Sequence, residues 1–175
     1  MLIASQIITA ALCLLTVISD LYAHRVHNLW LLVALLLGTI WTGWAWWQGL
    51  TDQPWIALTG LIIGLAVLLP CYVFGWMGAG DVKFFAVLGF LMGAKALLPI
   101  WIVGSLLGGV HALVLLASRH WLAGQPLALL QSSLHTSRLW QNVVAARQGR
   151  VGLPYAAYMA MGALLVVFIP DLAHW

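Results

Sequence analysis

The sequence predicts an all-α, polytopic membrane protein, and three observations carry that prediction. The first is composition, because 64% of the 175 residues are hydrophobic, only 6% are charged and the mean hydropathy is +1.04. A soluble domain of this size has too little interior to bury so much apolar surface, so the lipid bilayer has to be its main solvent. The second observation is a series of apolar runs along the chain, and the third is the uneven distribution of its basic residues.

The apolar runs predict about six transmembrane helices. A membrane-spanning helix needs about 20 mostly apolar residues, and five of the runs approach that length. In chain order the six runs cover residues 2–19, 29–47, 55–74, 82–94, 96–117 and 153–170. The fourth run is the shortest, and we expect it to cross a thinned bilayer or to form a re-entrant pair with its neighbour.

The basic residues predict the orientation of these helices. If the N-terminus lies outside the membrane, six of the seven basic residues fall in inner loops and only Lys95 lies outside. Such an excess of positive charge on one side is typical of the cytoplasmic face, and it predicts an even number of spans with both termini outside. The inner set is Arg25, Lys83, Arg119, Arg138, Arg147 and Arg150.

Residues 1–175 are expected to form a single transmembrane domain that contains one sizeable polar segment, the cytoplasmic loop 119–152. Leu127, Leu130 and Leu134 recur there at helical spacing, which predicts an amphipathic helix on the membrane surface, with a disordered linker as the alternative. No basic run with interleaved aromatic residues occurs, so nucleic-acid binding is not expected. Cys13 and Cys71 do not form a C-x-x-C pair, so a thiolate zinc site is not supported.

The chain has four acidic residues, Asp20, Asp52, Asp81 and Asp171. Asp52 and Asp171 are expected in solvated outer turns. Asp20 ends the first predicted helix and Asp81 opens the fourth, which places both at the inner ends of their helices. Acidic groups at such positions are costly and therefore candidates for function.

Each of these two acids also has a purely structural interpretation. Asp81 is suited to be the N-cap of its helix, and Asp20 is suited to be solvated or paired with Arg25 or Lys83. If the two carboxyl groups meet, however, they cannot both ionise easily. The charged one then activates a water, and the protonated one donates to a leaving amide nitrogen. Helix dipoles predict that Asp81, at a helix start, is the base and that Asp20, at a helix end, keeps the proton.

Two glycine pairs are placed beside or after Asp81. Gly78 and Gly80 are expected to allow a sharp backbone turn and the close approach of another chain, although a plain loop between helices is the alternative. Gly89 and Gly93 form a G-x-x-x-G pattern, which predicts close helix packing rather than chemistry.

At this point the motifs resemble those of a known family. The segment "GAGDVKFFAVLG" resembles the G-x-G-D motif of the aspartyl prepilin peptidases, and "SDLYAHRVHNLW" resembles their other half-site, with Asn28 eight residues after Asp20. The segment "RVGLPYAAYMAMG" resembles the basic-x-x-Pro-Tyr/Phe segment that opens the last helix of that family. Two positions depart from the pattern, because His27 stands where the family usually has proline and Ala156 where a glycine is common.

The resemblance implies a membrane-embedded aspartic endopeptidase with Asp20 and Asp81 as catalytic residues. Gly78, Gly80, Lys83 and Asn28 would shape the substrate-binding loops. The implied substrate is a prepilin or pseudopilin, cut after a leader glycine at the cytoplasmic face of the bacterial inner membrane. The pilus-assembly machinery and the lipid bilayer are the other implied partners, and no metal or organic cofactor is implied.

The sequence also lacks the cysteine-bearing cytoplasmic domain that bifunctional members use for N-methylation, so it resembles the small members that serve Flp-type (Tad) pili. Two other functions stay open. The chain is alternatively a non-enzymatic membrane subunit or small transporter that carries protons or cations on Asp20 and Asp81. The second alternative is an inactive member of the family that acts as an assembly scaffold. A metal site drawn from His24, His27 and Asp81 is not expected.

Overall fold

The computed structural model describes residues 3–50, 53–122 and 153–173, and this part contains helices and no strand. The all-α prediction is confirmed, and each α-helix coincides with one of the six apolar runs. Asp52 and the predicted amphipathic helix lie outside the described residues. The helices are α1 (Ile3–Ala23), α2 (Asn28–Trp47), α3 (Trp55–Val73), α4 (Ala79–Met92), α5 (Ala94–Leu122) and α6 (Tyr155–Phe168), followed by a short 3-10 helix (Pro170–Ala173).

Four of the described helices, α1, α2, α3 and α5, are long and apolar enough to cross a membrane by length and composition. The other two, α4 and α6, have 14 residues each. A helix of that length spans about 21 Å, against about 30 Å for the hydrocarbon core of a bilayer. The exact number of spans and the side on which the termini lie stay predictions.

Helix α4 can be short because protein rather than lipid surrounds it. It packs against α1, α2, α3, α5 and α6. Ten of its 14 residues are buried, and the side chains of Phe84 and Phe85 are almost completely enclosed. The outer helices instead expose large apolar side chains such as Ile40, Ile62 and Leu113, as expected of surfaces that face lipid. Helix α4 is therefore the central element of the bundle.

Glycines set the distance between α3 and α4. Gly60 of α3 and Gly89 of α4 lie so close that a β-carbon on either residue would overlap the carbonyl oxygen of the other. One turn along α3, a β-carbon on Gly64 would lie 2.9 Å from the Cα atom of Ala86. The packing role predicted for Gly89 is confirmed. Gly93 has a different role, because it ends α4 with a φ of 84°, which favours glycine.

Candidate active site

The last turn of α1 places Asp20 inside the protein, where the residue is only 5% exposed. The helix ends soon after it because His24 adopts a left-handed backbone conformation with a φ of 48°. The amide of His24 closes the last turn by donating to the carbonyl oxygen of Asp20 at 3.0 Å. A left-handed residue of this kind commonly ends a helix. The chain therefore turns toward α2 directly after the acid.

The N-terminus of α6 holds the Asp20 side chain. The Oδ2 atom of Asp20 accepts a hydrogen bond from the backbone N–H of Ala157 at 2.9 Å. The N-cap residue of α6 is Pro154, which makes no side-chain capping bond, so Ala157 is the third helical residue and its N–H has no partner within the helix. The Asp20 carboxyl group thus caps a helix that is distant from it in the sequence.

This contact removes the argument by which roles were assigned to the two acids. The C-terminal end of α1 was expected to disfavour negative charge on Asp20. The N-terminal end of α6 has the opposite effect on the same carboxyl group, because its N–H groups and dipole favour an anion. Asp81 also lies in the first turn of a helix. Helix position therefore does not separate a base from an acid, and the two carboxyl groups have to be treated as one coupled pair.

Asp81 lies in the first turn of α4 but is not its N-cap. The N-cap is Gly78, with a φ of −72° and a ψ of 146°, so Asp81 is the third helical residue. The backbone N–H of Gly78 hydrogen-bonds the Asp81 carboxyl group. A side chain at this position makes the same bond in a capping box. The prediction of an N-cap was wrong in position, although the carboxyl group does help to cap α4.

The two acids line a single cavity of about 400 Å³. The cavity lies among the α1–α2 turn, the N-terminus of α4 and the N-terminus of α6, and the two carboxyl groups repel each other electrostatically. Such repulsion favours a state in which the pair carries one proton, and this state can both activate a water and protonate a leaving group. The remaining lining residues are His24, Arg25, Val26, Gly78, Ala79, Gly80, Leu153 and Tyr155.

Gly78 and Gly80 are both small for steric reasons. A β-carbon on Gly80 would lie 3.3 Å from the Cβ atom of Val26, so the glycine allows α4 to approach the α1–α2 turn. A β-carbon on Gly78 would lie 3.3 Å from Oδ2 of Asp81. Gly80 therefore allows the close approach of a neighbouring segment of the same chain, and the approach of another chain stays a prediction. The expected sharp turn is found at Gly75 instead, where φ is 74°.

Lys83 and Asn28 contact each other at the edge of the site. The Nζ atom of Lys83 donates to Oδ1 of Asn28 at 3.4 Å, which joins the first turn of α4 to the start of α2. Both residues are exposed, and neither is among the residues that line the cavity. Their role in loop geometry stays a prediction.

Tyr155 is a cavity residue that the sequence reasoning missed. It lines the cavity from the start of α6, and its hydroxyl lies 2.9 Å from Oγ of Ser105 on α5. One turn further, the hydroxyl of Tyr158 hydrogen-bonds Nδ1 of His111 on α5. The segment "LPYAAY" was the available signal, but only the packing of α6 on α1 and α5 brings it to the acids.

The described residues contain no group of three or more His, Cys, Asp or Glu side chains placed to hold a metal ion. The two histidines after Asp20 have separate environments. His24 lines the cavity, whereas Nδ1 of His27 lies 3.0 Å from Oγ of Ser19. The chemistry that the site offers is that of paired carboxyl groups.

A bundle of long apolar helices around one cavity with two acids defines an integral membrane protein with a paired-carboxyl site. Residues 7–113 match the model of the type IV leader peptidase family, which covers more than half of the chain and includes both acids. The chain belongs to the type IV leader peptidase family, and it is a protease of that kind. No curated protein and no solved structure matches it. The matched segment ends before α6, although α6 supplies the hydrogen bond to Asp20.

Proposed function

We propose that the chain is an aspartic endopeptidase that removes the leader peptide of Flp-type prepilins or pseudopilins at the cytoplasmic face of a bacterial inner membrane. The single observation that supports this proposal is that Asp20 of α1 and Asp81 of α4 line the same cavity. Membership of the type IV leader peptidase family agrees with it.

The proposed reaction is hydrolysis of one peptide bond by a shared-proton carboxyl pair. The ionised carboxylate takes a proton from a water, and the water oxygen bonds to the carbon of the scissile carbonyl. The protonated carboxyl then gives its proton to the amide nitrogen as the C–N bond breaks. The products are a new carboxyl group on the leader and a new amine on the mature pilin. No covalent bond to the protein forms at any step.

The position of the acids favours a peptidase over a transporter. Transporters bind their ions near the bilayer midplane, at breaks in their helices. Asp20 lies in the last turn of α1 and Asp81 in the first turn of α4, so both acids are at helix ends. The cavity volume of about 400 Å³ also lies in the range of sites that bind small ligands or a short peptide segment.

A cleavage assay tests the proposal. The purified protein in detergent is mixed with a Flp-type prepilin, and mass spectrometry locates the new termini. We expect one cut after the leader glycine, and loss of that cut when the leader glycine is replaced. In parallel, proteoliposomes are tested for proton or cation flux. An intact prepilin together with a flux that requires the two acids would favour the transporter and contradict the proposal.

The Gly80–Val26 contact provides a separate prediction. Gly80→Ala should lower cleavage about tenfold, because the added methyl group displaces the α1–α2 turn from the acids and small misplacements are costly in catalysis. Val26→Gly in the same chain removes both atoms that the new methyl group meets, Cβ at 3.3 Å and Cγ2 at 3.6 Å. We therefore expect the double variant to recover part of the activity. Equal activities for Gly80→Ala and its double variant would contradict this account of the glycine.

A further inference from the structure

We propose that Ser19 and His27 form a hydrogen-bonded latch that positions the turn between α1 and α2 beside Asp20. The inference rests on the proposed function, since peptide cleavage is its main readout. It assigns roles to two residues that are not among those lining the cavity. We call the pair of hydrogen bonds made by the Ser19 hydroxyl the turn latch.

Two short contacts define the turn latch. The Oγ atom of Ser19 donates to the carbonyl oxygen of Arg25 at 2.7 Å. The same Oγ atom lies 3.0 Å from Nδ1 of His27. Ser19 itself is only 7% exposed, so water has little access to its hydroxyl. One buried hydroxyl in the last turn of α1 therefore holds two points of the turn that follows.

The chemistry of the hydroxyl determines the direction of both bonds. A serine hydroxyl has one hydrogen, and a carbonyl oxygen can only accept. The hydrogen is therefore directed at the carbonyl of Arg25, and the oxygen accepts from Nδ1–H of His27. The neutral tautomer with hydrogen on Nδ1 and the protonated ring both provide this donor. The ring also makes a tilted contact with Trp30, with centroids 4.6 Å apart.

The turn that the latch holds forms one wall of the cavity. His24, Arg25 and Val26 all line the cavity, and they lie in the chain between Ser19 and His27, the two residues that the latch joins. Ser19 directly precedes Asp20, so the latch connects the acid's own neighbour with that wall. Val26 is also the residue that a β-carbon on Gly80 would meet. A loose turn would thus disturb both the cavity and the approach of α4.

The backbone at His27 explains why a latch is useful there. His27 has a φ of −78° and a ψ of 120°, and a proline ring restrains φ to about −65 ± 15°. A proline at this position would hold the backbone in this conformation. A histidine can adopt the same conformation, but its backbone is not restrained to it. The hydrogen bond from the His27 ring to Ser19 therefore restrains this part of the turn through the side chain. A proline would restrain it through the backbone.

A rescue experiment tests the turn latch. Ser19→Ala removes both bonds, and we expect kcat for prepilin cleavage to fall about fivefold, the loss expected of one or two ordinary hydrogen bonds, while KM changes little. His27→Ala should have a similar effect. Ser19→Ala combined with His27→Pro should recover at least half of the wild-type kcat, because the ring then restrains φ. Ser19→Thr keeps the hydroxyl and should retain activity.

The matched control is Thr9→Ala. The Thr9 hydroxyl is also buried in α1 and donates to a backbone carbonyl, that of Ser5, at 2.8 Å. Its loss should leave kcat unchanged, whatever its effect on the melting temperature. The latch is contradicted if Ser19→Ala cleaves as fast as the wild type, or if His27→Pro brings no recovery. Failure of the wild type to cleave any prepilin would instead contradict the proposed function.

Discussion

Asp20→Asn and Asp81→Asn are each expected to reduce the rate of prepilin cleavage about a thousandfold or more. Acid and base catalysis contributes about 10²- to 10⁴-fold, and neither reaction step proceeds without a titratable group at each position. Because the two carboxyl groups act as one unit, the double variant should be no slower than the slower single variant. Initial rates with a Flp-type prepilin, measured by gel and mass spectrometry, provide the comparison.

Asparagine is the sharpest replacement because its side-chain oxygen can still accept the N–H of Ala157, so the cap of α6 is kept. The matched control is Asp171→Asn, which replaces an exposed acid in the 3-10 helix and should leave the rate unchanged. Retained cleavage in either active-site variant, with normal yield and melting temperature, would contradict the two-carboxyl mechanism. Multiplicative losses in the double variant would show that the acids act independently.

Gly60→Ala and Gly89→Ala are expected to have the largest effect on stability. In each case the new methyl group would overlap a backbone carbonyl oxygen of the facing helix, and a backbone atom cannot change rotamer to make room. Overpacking typically costs about 1–3 kcal/mol, and rigid neighbours place these two sites at or above the upper end. Thermal unfolding of the purified protein in detergent measures the effect. Cleavage should fall as well, because α4 carries Asp81.

The control for these glycines is the same substitution where space is open. A β-carbon on Gly43 of α2 or Gly109 of α5 would meet nothing within 4 Å. Alanine also favours a helix over glycine by about 1 kcal/mol in water. Gly43→Ala and Gly109→Ala should therefore match or exceed the wild-type melting temperature. Equal melting temperatures for all four variants would contradict the prediction that the close contact between α3 and α4 contributes to stability.

The helices were predictable because their signal is local. Each apolar run in the sequence reappears as one helix, with ends that differ by a few residues. The end of α1 shows the limit of that signal. Hydropathy stops the first run at residue 19, but the helix continues to Ala23, because the left-handed His24 rather than a change of polarity ends it. A bilayer requires long apolar segments, and it does not specify their last turn.

The acids of the site were predictable from their motifs, but their surroundings were not. Nothing near Asp20 in the sequence indicates that its carboxyl group caps a helix that begins at Tyr155. The helix-end argument for the roles of the two acids lost its basis for this reason, and the roles themselves stay untested. Gly60 was missed in the same way, since the small residue that faces Gly89 lies on another helix. These relationships exist only between segments that meet in the folded chain.

The sequence by itself determined that this is an all-helical membrane protein and that Asp20 and Asp81 are its candidate catalytic acids. Both conclusions depend on local patterns, namely apolar length and short motifs. Only the tertiary structure decided how the helices are arranged and what surrounds each carboxyl group. The physical reason is that lipid makes nearly every helix face apolar, so hydrophobicity does not indicate which faces meet. Close contacts of small residues and hydrogen bonds between helices determine which faces pack against each other.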